Sequence, residues 1–325
     1  MFATGFDWWL PIDASSHGVG IDRLITFIHW FMAVLFVGWG IFFVYCLIAF
    51  RSRSGHQASA TLPKAKASKV SEVGVIIIEA ILLLGFSIPL WAKSKGASHV
   101  PTEDDRFEVR VVAQQFAWNI HYPGRDGKFG ETKFELVSSD NPVGLDRSSP
   151  NAKDDIVTNN QMHIPVNKDI LVHLTSKDVI HSFALPLLRV KQDAIPGISV
   201  PVWFRATRTT DEIRELMRKS YPVHEDSFLY LKNHLAVDTY KDSDGNTVVE
   251  KNAPIFEDTV TALLEAGITE VEAYPAVPTE IACAQLCGLT HYRMRGYLHI
   301  DTEEQFEAWL AEEESYLEED DEEDY

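Results

Sequence analysis

Two long apolar runs open the chain, and short alternating ones follow. The first runs from Leu24 to Phe50 and the second from Val73 to Trp91. A helix needs ~20 apolar residues to cross a bilayer, so each is long enough or nearly so. Between them the stretch RSRSGHQASATLPKAKASKVSE carries Arg51, Arg53, Lys64, Lys66 and Lys69, with no acid before Glu72. Short basic loops stay on the cytoplasmic side. The pattern therefore predicts an outer segment over 1–23, spans over 24–50 and 72–93, and a cytoplasmic loop over 51–71. Buried helices of a soluble protein are the alternative, and the basic loop between two such runs counts against it. The start of the chain lacks a basic stretch followed by an apolar core, so no cleavable signal is expected. It reads as a polar lead-in with interfacial aromatics at Trp8 and Trp9.

From about residue 94 to 308 the period changes. FEVRVVAQQFAW, MHIPV, DILVHLTS, VPVWFRA and GYLHI alternate or cluster β-branched and aromatic residues, as strands of a small sandwich or barrel do. Pro, Gly and Asp punctuate them, as in YPGRDGKFG. An insert over about 209–274 reads helical in part. TTDEIRELMRKSY has a Thr–x–x–Glu start, and IFEDTVTALLEAGI stops at Gly267. EEQFEAWLAEEESYLEEDDEEDY starts as a plausible helix and ends, in the tail over 309–325, in nearly continuous acid; such blocks repel themselves and usually stay disordered. It reads as a solubilising tail or as a docking segment.

Charge narrows the partners. The net charge of −19 argues against nucleic acid and suits a basic protein partner. Three cysteines are too few for a disulfide framework, and their odd number implies separate roles.

The chemistry concentrates in Cys283–Ala–Gln285–Leu–Cys287–Gly288–Leu–Thr–His291–Tyr–Arg–Met294, just before the strand GYLHI. Two thiols, an imidazole and a thioether within one loop suit copper rather than a hard cation. Zinc would leave Met294 idle. A Cys283–Cys287 disulfide on an oxidising outer face, or plain core, are the remaining readings of this segment alone. Elsewhere His173 and His299 sit in strand-like runs and His29 and Cys46 in the first span, where structural roles are simplest.

A second segment adds to this: Asp178–Val–Ile–His181–Ser–Phe–Ala–Leu–Pro186, followed by Lys191–Gln–Asp193–Ala–Ile–Pro196–Gly197. In both segments and in the hairpin the sequence resembles cytochrome c oxidase subunit II; the 209–274 insert and the tail are outside the likeness. The resemblance implies a two-helix transmembrane hairpin followed by an all-β cupredoxin-like outer domain. It implies a dinuclear copper A centre bridged by Cys283 and Cys287, with His181, His291, Met294 and the backbone carbonyl of Gln285 completing the ligands. It also implies cytochrome c or a membrane-bound cytochrome as donor, and a haem-containing subunit I and a subunit III as partners in a bacterial inner membrane. The copper domain would face the outer, periplasmic side, and oxygen reduction and proton pumping would belong to subunit I. No CxxCH is present, so no fused haem domain is expected.

Three further carry-overs follow from the same likeness. The family's electron-admitting tryptophan aligns with Phe116, and Trp118 two residues on is the candidate to compensate. Asp178 matches an acid of the donor-docking patch. Glu72 matches a glutamate at the mouth of a proton channel, with an interfacial helix cap as the plainer reading. Glu79 lies two turns further along the same helix face, with no family counterpart to assign it a role. Position 285 departs from the family, where a glutamate also reaches a magnesium ion; a neutral amide is a poorer ligand for a hard cation, which counts against magnesium here. A quinol oxidase subunit would lack the copper ligands, whereas all five side chains are present. A membrane-anchored copper carrier would have no reason to keep Glu72 or the aromatic run.

The hairpin gives a topological expectation. A membrane-impermeant alkylating reagent or a protease added to intact cells should reach the acidic C-terminal tail and spare residues 51–70. The reverse pattern would overturn the orientation.

Overall fold

The computed structural model describes residues 10–55, 66–96, 100–102 and 105–323. Trp8, Trp9 and Lys64 lie outside the described residues. The chain divides into two compact units, the hairpin and the outer domain, the second also taking in residues 11–16.

In the hairpin, α1 spans Gly18–Ala49. The second helix begins as α2 (Lys66–Ile81), passes through a π-helical stretch (Leu82–Ser87) and ends as α3 (Ile88–Lys95). Both are long and apolar enough to cross a membrane, and almost none of either apolar stretch is covered by the chain itself. Within the pair, Phe27 meets Phe86, ring centroids 5.9 Å apart. His29 Nδ1 lies 2.8 Å from the Ile25 carbonyl of its own helix.

The outer domain opens with β1 (Arg106–Gln114), β2 (Ala117–Tyr122), β3 (Ile156–Asn159) and β4 (Gln161–Pro165). β5 (Asp169–Ser176), β6 (His181–Leu185), β7 (Val190–Ala194) and β8 (Val200–Arg205) follow. Then comes the insert: α4 (Thr210–Leu216), β9 (Lys219–Pro222), α5 (Phe228–Leu231), β10 (His234–Ala236), β11 (Tyr240–Lys241), β12 (Thr247–Val249), α6 (Glu257–Glu265) and β13 (Glu270–Pro275). β14 (Glu280–Cys283), β15 (Arg295–Asp301) and α7 (Glu303–Glu323) close the chain.

Two five-stranded sheets, in the order β3-β2-β1-β5-β8 and β4-β15-β14-β6-β7, face each other across one core. Alternation does this: Val109, Val111 and Ala113 point inward from β1, and Ile170, Val172 and Leu174 from β5. They meet Met162, Ile164, Phe183, Leu185, Leu298 and Ile300 of the other sheet. FEVRVVAQQFAW, which reads as one run, is two strands with a turn at Gln115–Phe116, because β2 folds back antiparallel on β1. This gives the expected sandwich and the fold class read from the sequence.

The insert is more than partly helical. Its strands β10, β13 and β9 form a sheet of their own, and Leu231, Val249, Val260, Leu263 and Val271 build a separate core. The Thr–x–x–Glu start is a full capping box: Thr209 Oγ1 accepts from Glu212 N at 3.2 Å, and Glu212 accepts from Thr209 N at 2.8 Å. The tail starts as the helix its sequence suggests and, against expectation, stays helical through its acidic run to Glu323. Phe306, Trp309, Leu310 and Leu317 make a helical stripe that packs on the sandwich. Trp309 stacks on His163, centroids 4.4 Å apart, and Arg125 ties down Glu307 and Glu314.

The capping box is the element most open to a clean test. Thr209→Ala should lower unfolding stability by about 1 kcal/mol in chemical denaturation, and Thr209→Ser should restore most of it. An unchanged midpoint in Thr209→Ala would show that the cap holds nothing.

Candidate metal centre

Pairing between β6 and β14 starts the site. Cys283, the last residue of β14, sits across from Phe183, and Ala284 N donates to Ser182 O at 2.9 Å. This brings His181, the first residue of β6, beside Cys283 across a gap of more than a hundred residues in sequence. From Cys283 the chain loops to β15. His291–Arg293 forms one 3-10 turn, held by His291 N to Gly288 O (3.2 Å) and Met294 N to His291 O (3.1 Å). That turn drives Met294 inward, leaving it and Cys287 almost fully buried.

The result is a cluster around two sulfurs. The Sγ atoms of Cys283 and Cys287 are 3.7 Å apart, and both cysteines are free thiols. Around Cys283 Sγ lie His181 Nδ1 at 3.8 Å and the Gln285 carbonyl oxygen at 3.2 Å. Around Cys287 Sγ lie His291 Nδ1 at 3.4 Å and Met294 Sδ at 3.8 Å. The His181, Cys283 and Cys287 donor atoms alone lie within 4.8 Å of one another. Two groups of donors share the sulfur pair, a set with soft sulfur and imidazole that fits copper.

The thiols titrate as a pair. Burial opposes the Cys283 thiolate, yet hydrogen bonds from His181 and at Ser182 and Gln285 outweigh it and push its pKa down. Cys287 is pushed up, by burial first and by the neighbouring Cys283 second. The arrangement holds one thiolate readily and a second only with a cation between them.

Asp178 stands beside the His181 ring. His181 Nε2 donates to its Oδ1 at 2.8 Å, Gln115 N to its Oδ2 at 2.6 Å, and Val179 N to its Oδ1 at 2.6 Å. Burial opposes its charge, but these bonds win and hold it below the usual carboxylate range. The carboxylate thus fixes the His181 ring with Nδ1 toward the sulfurs, a common support for a metal-binding imidazole. The residue is exposed at the same time, so its carboxylate supports the ring from the surface of the site.

Two residues that the motifs did not single out complete the support. Gln115 Nε2 donates to Cys287 O at 2.6 Å, tying the β1–β2 turn to the loop. Gly288 has φ +139°, and a Cβ there would sit 2.7 Å from Gln115 Nε2 and 3.0 Å from the Phe116 ring. Only glycine combines that backbone with such a close approach. The Cys287–Gly288 dipeptide was the sequence signal for it; nothing signalled Gln115.

The aromatic pair divides by depth. Phe116 is half-buried and lies against the loop, while Trp118 is fully buried with its ring 6.3 Å from that of His181. Trp118 therefore meets no surface partner directly. His173 bonds Glu108 at 2.6 Å and His299 stacks on His163 at 4.2 Å, neither among the donors around the sulfurs. Glu72 and Glu79 are exposed on α2, in the separate helical unit.

The family profile described as cytochrome c oxidase subunit II, periplasmic domain, matches residues 107–211. The chain is 26% identical over 311 residues to the alternative cytochrome c oxidase subunit 2 of Bradyrhizobium diazoefficiens, covering 95% of this chain and 85% of that one. The chain is thus similar to cytochrome c oxidase subunit II. The cytochrome c oxidase subunit 2 of Cereibacter sphaeroides is 29% identical over 202 residues, 56% of this chain and 64% of its own length. Among solved structures, the periplasmic domain of subunit II of cytochrome oxidase from Bradyrhizobium japonicum aligns at 22% identity with a TM-score of 0.34, covering 67% of this chain and 99% of that one.

The asymmetry of the two thiols is directly measurable. In metal-free protein, a limiting amount of iodoacetamide near neutral pH should modify Cys283 well before Cys287, read by peptide mass analysis. Modification of Cys287 first would contradict the described electrostatics.

Proposed function

We propose that this chain is the copper-bearing second subunit of a respiratory haem–copper oxidase, anchored by its two apolar helices. The observation that carries this reading is the six-donor cluster around the Cys283–Cys287 sulfur pair. Its members are those the family likeness implies: His181, Cys283, Gln285 through its carbonyl, Cys287, His291 and Met294. Bound by these residues, a copper pair would take single electrons from a cytochrome and give them on toward the haem of the catalytic subunit, where oxygen is reduced and protons are pumped.

The residues of the chain supply rigidity and shielding for that role. Asp178 holds the His181 ring in one tautomer and one orientation. Gln115 clamps the Cys287 carbonyl, and the Gly288–Phe116 contact closes the loop over the cluster. Ligands fixed in this way move little when charge changes, which keeps the cost of reorganisation low. Gln285 contributes its carbonyl, and its neutral side chain gives a magnesium ion no carboxylate. Phe116 stands at the surface above the site and Trp118 beneath it. Glu72 keeps its proposed place at the cytoplasmic mouth of a proton path, and subunits I and III are the expected neighbours in the bacterial inner membrane, with the copper domain on the periplasmic side.

The purified chain should bind two copper ions and show the purple spectrum of a mixed-valence pair. Cys283→Ser or Cys287→Ser should abolish that spectrum. A copper-insensitive disulfide between the two cysteines would overturn the reading, and failure to co-purify with a haem-containing subunit would favour a copper carrier.

A further inference from the structure

The second apolar helix, Ser68–Lys93, carries a charge in its interior. From Val73 to Ala92 the only charged residue is Glu79. It lies six residues beyond Val73, roughly 9 Å inside the apolar run at ~1.5 Å per residue. A side chain as short as glutamate does not reach the interface from there. An acid at such a depth is costly, and it faces a protein interior or a water-filled cavity rather than lipid.

The hairpin itself supplies no partner. Of residues 72–84 the chain covers Leu82 fully and Gly74 and Val75 in part, while Glu72 and Glu79 are exposed. Among the described residues nothing hydrogen-bonds or pairs with Glu79. Its face is therefore open to a neighbouring subunit.

The backbone just beyond Glu79 carries an independent sign of the same kind. α2 ends at Ile81, and Leu82–Ser87 is wound as a π-helix. Ile88 N bonds Leu83 O, five residues back, instead of Leu84 O. Pro89 has no N–H to offer in its place. The Leu84 carbonyl is thus released from the helix ladder inside the span. Backbone of this kind is tolerated at membrane depth only against protein or water, and π-turns within helices recur at functional sites. A carboxyl and a freed carbonyl within five residues mark this stretch as lining a polar path.

We infer that Glu79 is a proton-relay carboxyl inside the membrane, handing protons from the cytoplasmic side to the catalytic subunit. This inference rests on the oxidase reading above. Glu72 stands seven residues earlier on the same helix face, ~10 Å away along the axis, a gap that about three hydrogen-bonded waters bridge. Glu79 gives its proton to an acceptor in the catalytic subunit and regains one along that water chain, so each passage moves one proton and leaves the carboxyl unchanged. The route from the mouth at Glu72 would then continue within this chain.

The test uses the assembled oxidase in its membrane. A hydrophobic carbodiimide reacts with a protonated acid: the carboxyl proton goes to a carbodiimide nitrogen and the carboxylate oxygen adds to the central carbon. Dicyclohexylcarbodiimide should therefore modify Glu79, read by peptide mass analysis, and a water-soluble carbodiimide should spare it. Glu79→Gln should lower kcat for oxygen consumption about tenfold or more, with KM for the donor and the copper and haem spectra unchanged. Glu79→Asp should restore most of the loss. A Glu79→Gln oxidase with wild-type kcat overturns the inference. So does a wild-type Glu79 that dicyclohexylcarbodiimide leaves untouched, as a carboxylate paired with a cation would be. A Glu79→Gln chain that no longer co-purifies with the catalytic subunit overturns it too, making the residue a subunit contact. A wild-type chain that brings down no haem-containing subunit is a separate failure, that of the oxidase reading itself.

Discussion

Two sulfurs 3.7 Å apart in a half-buried site are the constraint on which the rest of the outer domain turns. Two thiolates at such a distance repel by about 4 kcal/mol at an effective protein dielectric of 20. The chain alone answers this by splitting their titration, one pKa lowered and the other raised. A cation that both sulfurs share removes the conflict and collects the remaining donors. The sandwich exists, in this sense, to hold an arrangement that its own electrostatics disfavours. It does so through β-pairing at His181 and Cys283 and through the Gln115 and Asp178 hydrogen bonds, none of which depends on the metal.

That division explains what could be seen in the sequence. The cysteine–histidine–methionine loop was legible because its donors are close in sequence and of one chemical kind. His181 was not reachable by spacing, being 102 residues from Cys283; only the resemblance to a family placed it. The strands were legible by alternation, and β5 and β15 fall where DILVHLTS and GYLHI predict. The support was illegible for a physical reason. Gln115 and Asp178 act through hydrogen bonds made across loops, and a polar residue after a strand looks the same whether it faces solvent or a neighbour's carbonyl. The likeness marked Asp178 as a docking acid, and its bond to the His181 ring was a second role that no motif announced.

The insert and the tail were harder to read because their signals are weak or mixed. The insert strands are two to six residues long, too short for alternation to stand out, while its helices carry clear stops and caps. In the tail, runs of acid hide a helical stripe at Phe306, Trp309, Leu310 and Leu317. Charge repulsion is a surface term weakened by water and salt. Burying Phe306 and Leu310 and stacking Trp309 on His163 act where water is excluded, and the aromatic contacts add to area burial. The apolar face wins over the first turns, and Arg125 offsets part of the repulsion with two ion pairs.

The same competition sets the character of the two ends of the sandwich. Acid is tolerated in the part of α7 that packs by Arg125, at the end of the sandwich away from the sulfur pair. Close to the sulfurs an extra carboxylate would add to the repulsion unless its charge were absorbed. The chain shows two arrangements: Asp178 keeps its charge and directs it into three hydrogen bonds, one of them from His181, and Gln285 is an amide whose carbonyl approaches Cys283. A loop relieved of acid in this way must cover its outer surface with something, and in this chain the cover is Leu286, Leu289 and Tyr292. Exposed apolar side chains at that position accompany a ligand loop that carries no carboxylate of its own between Ala284 and Met294.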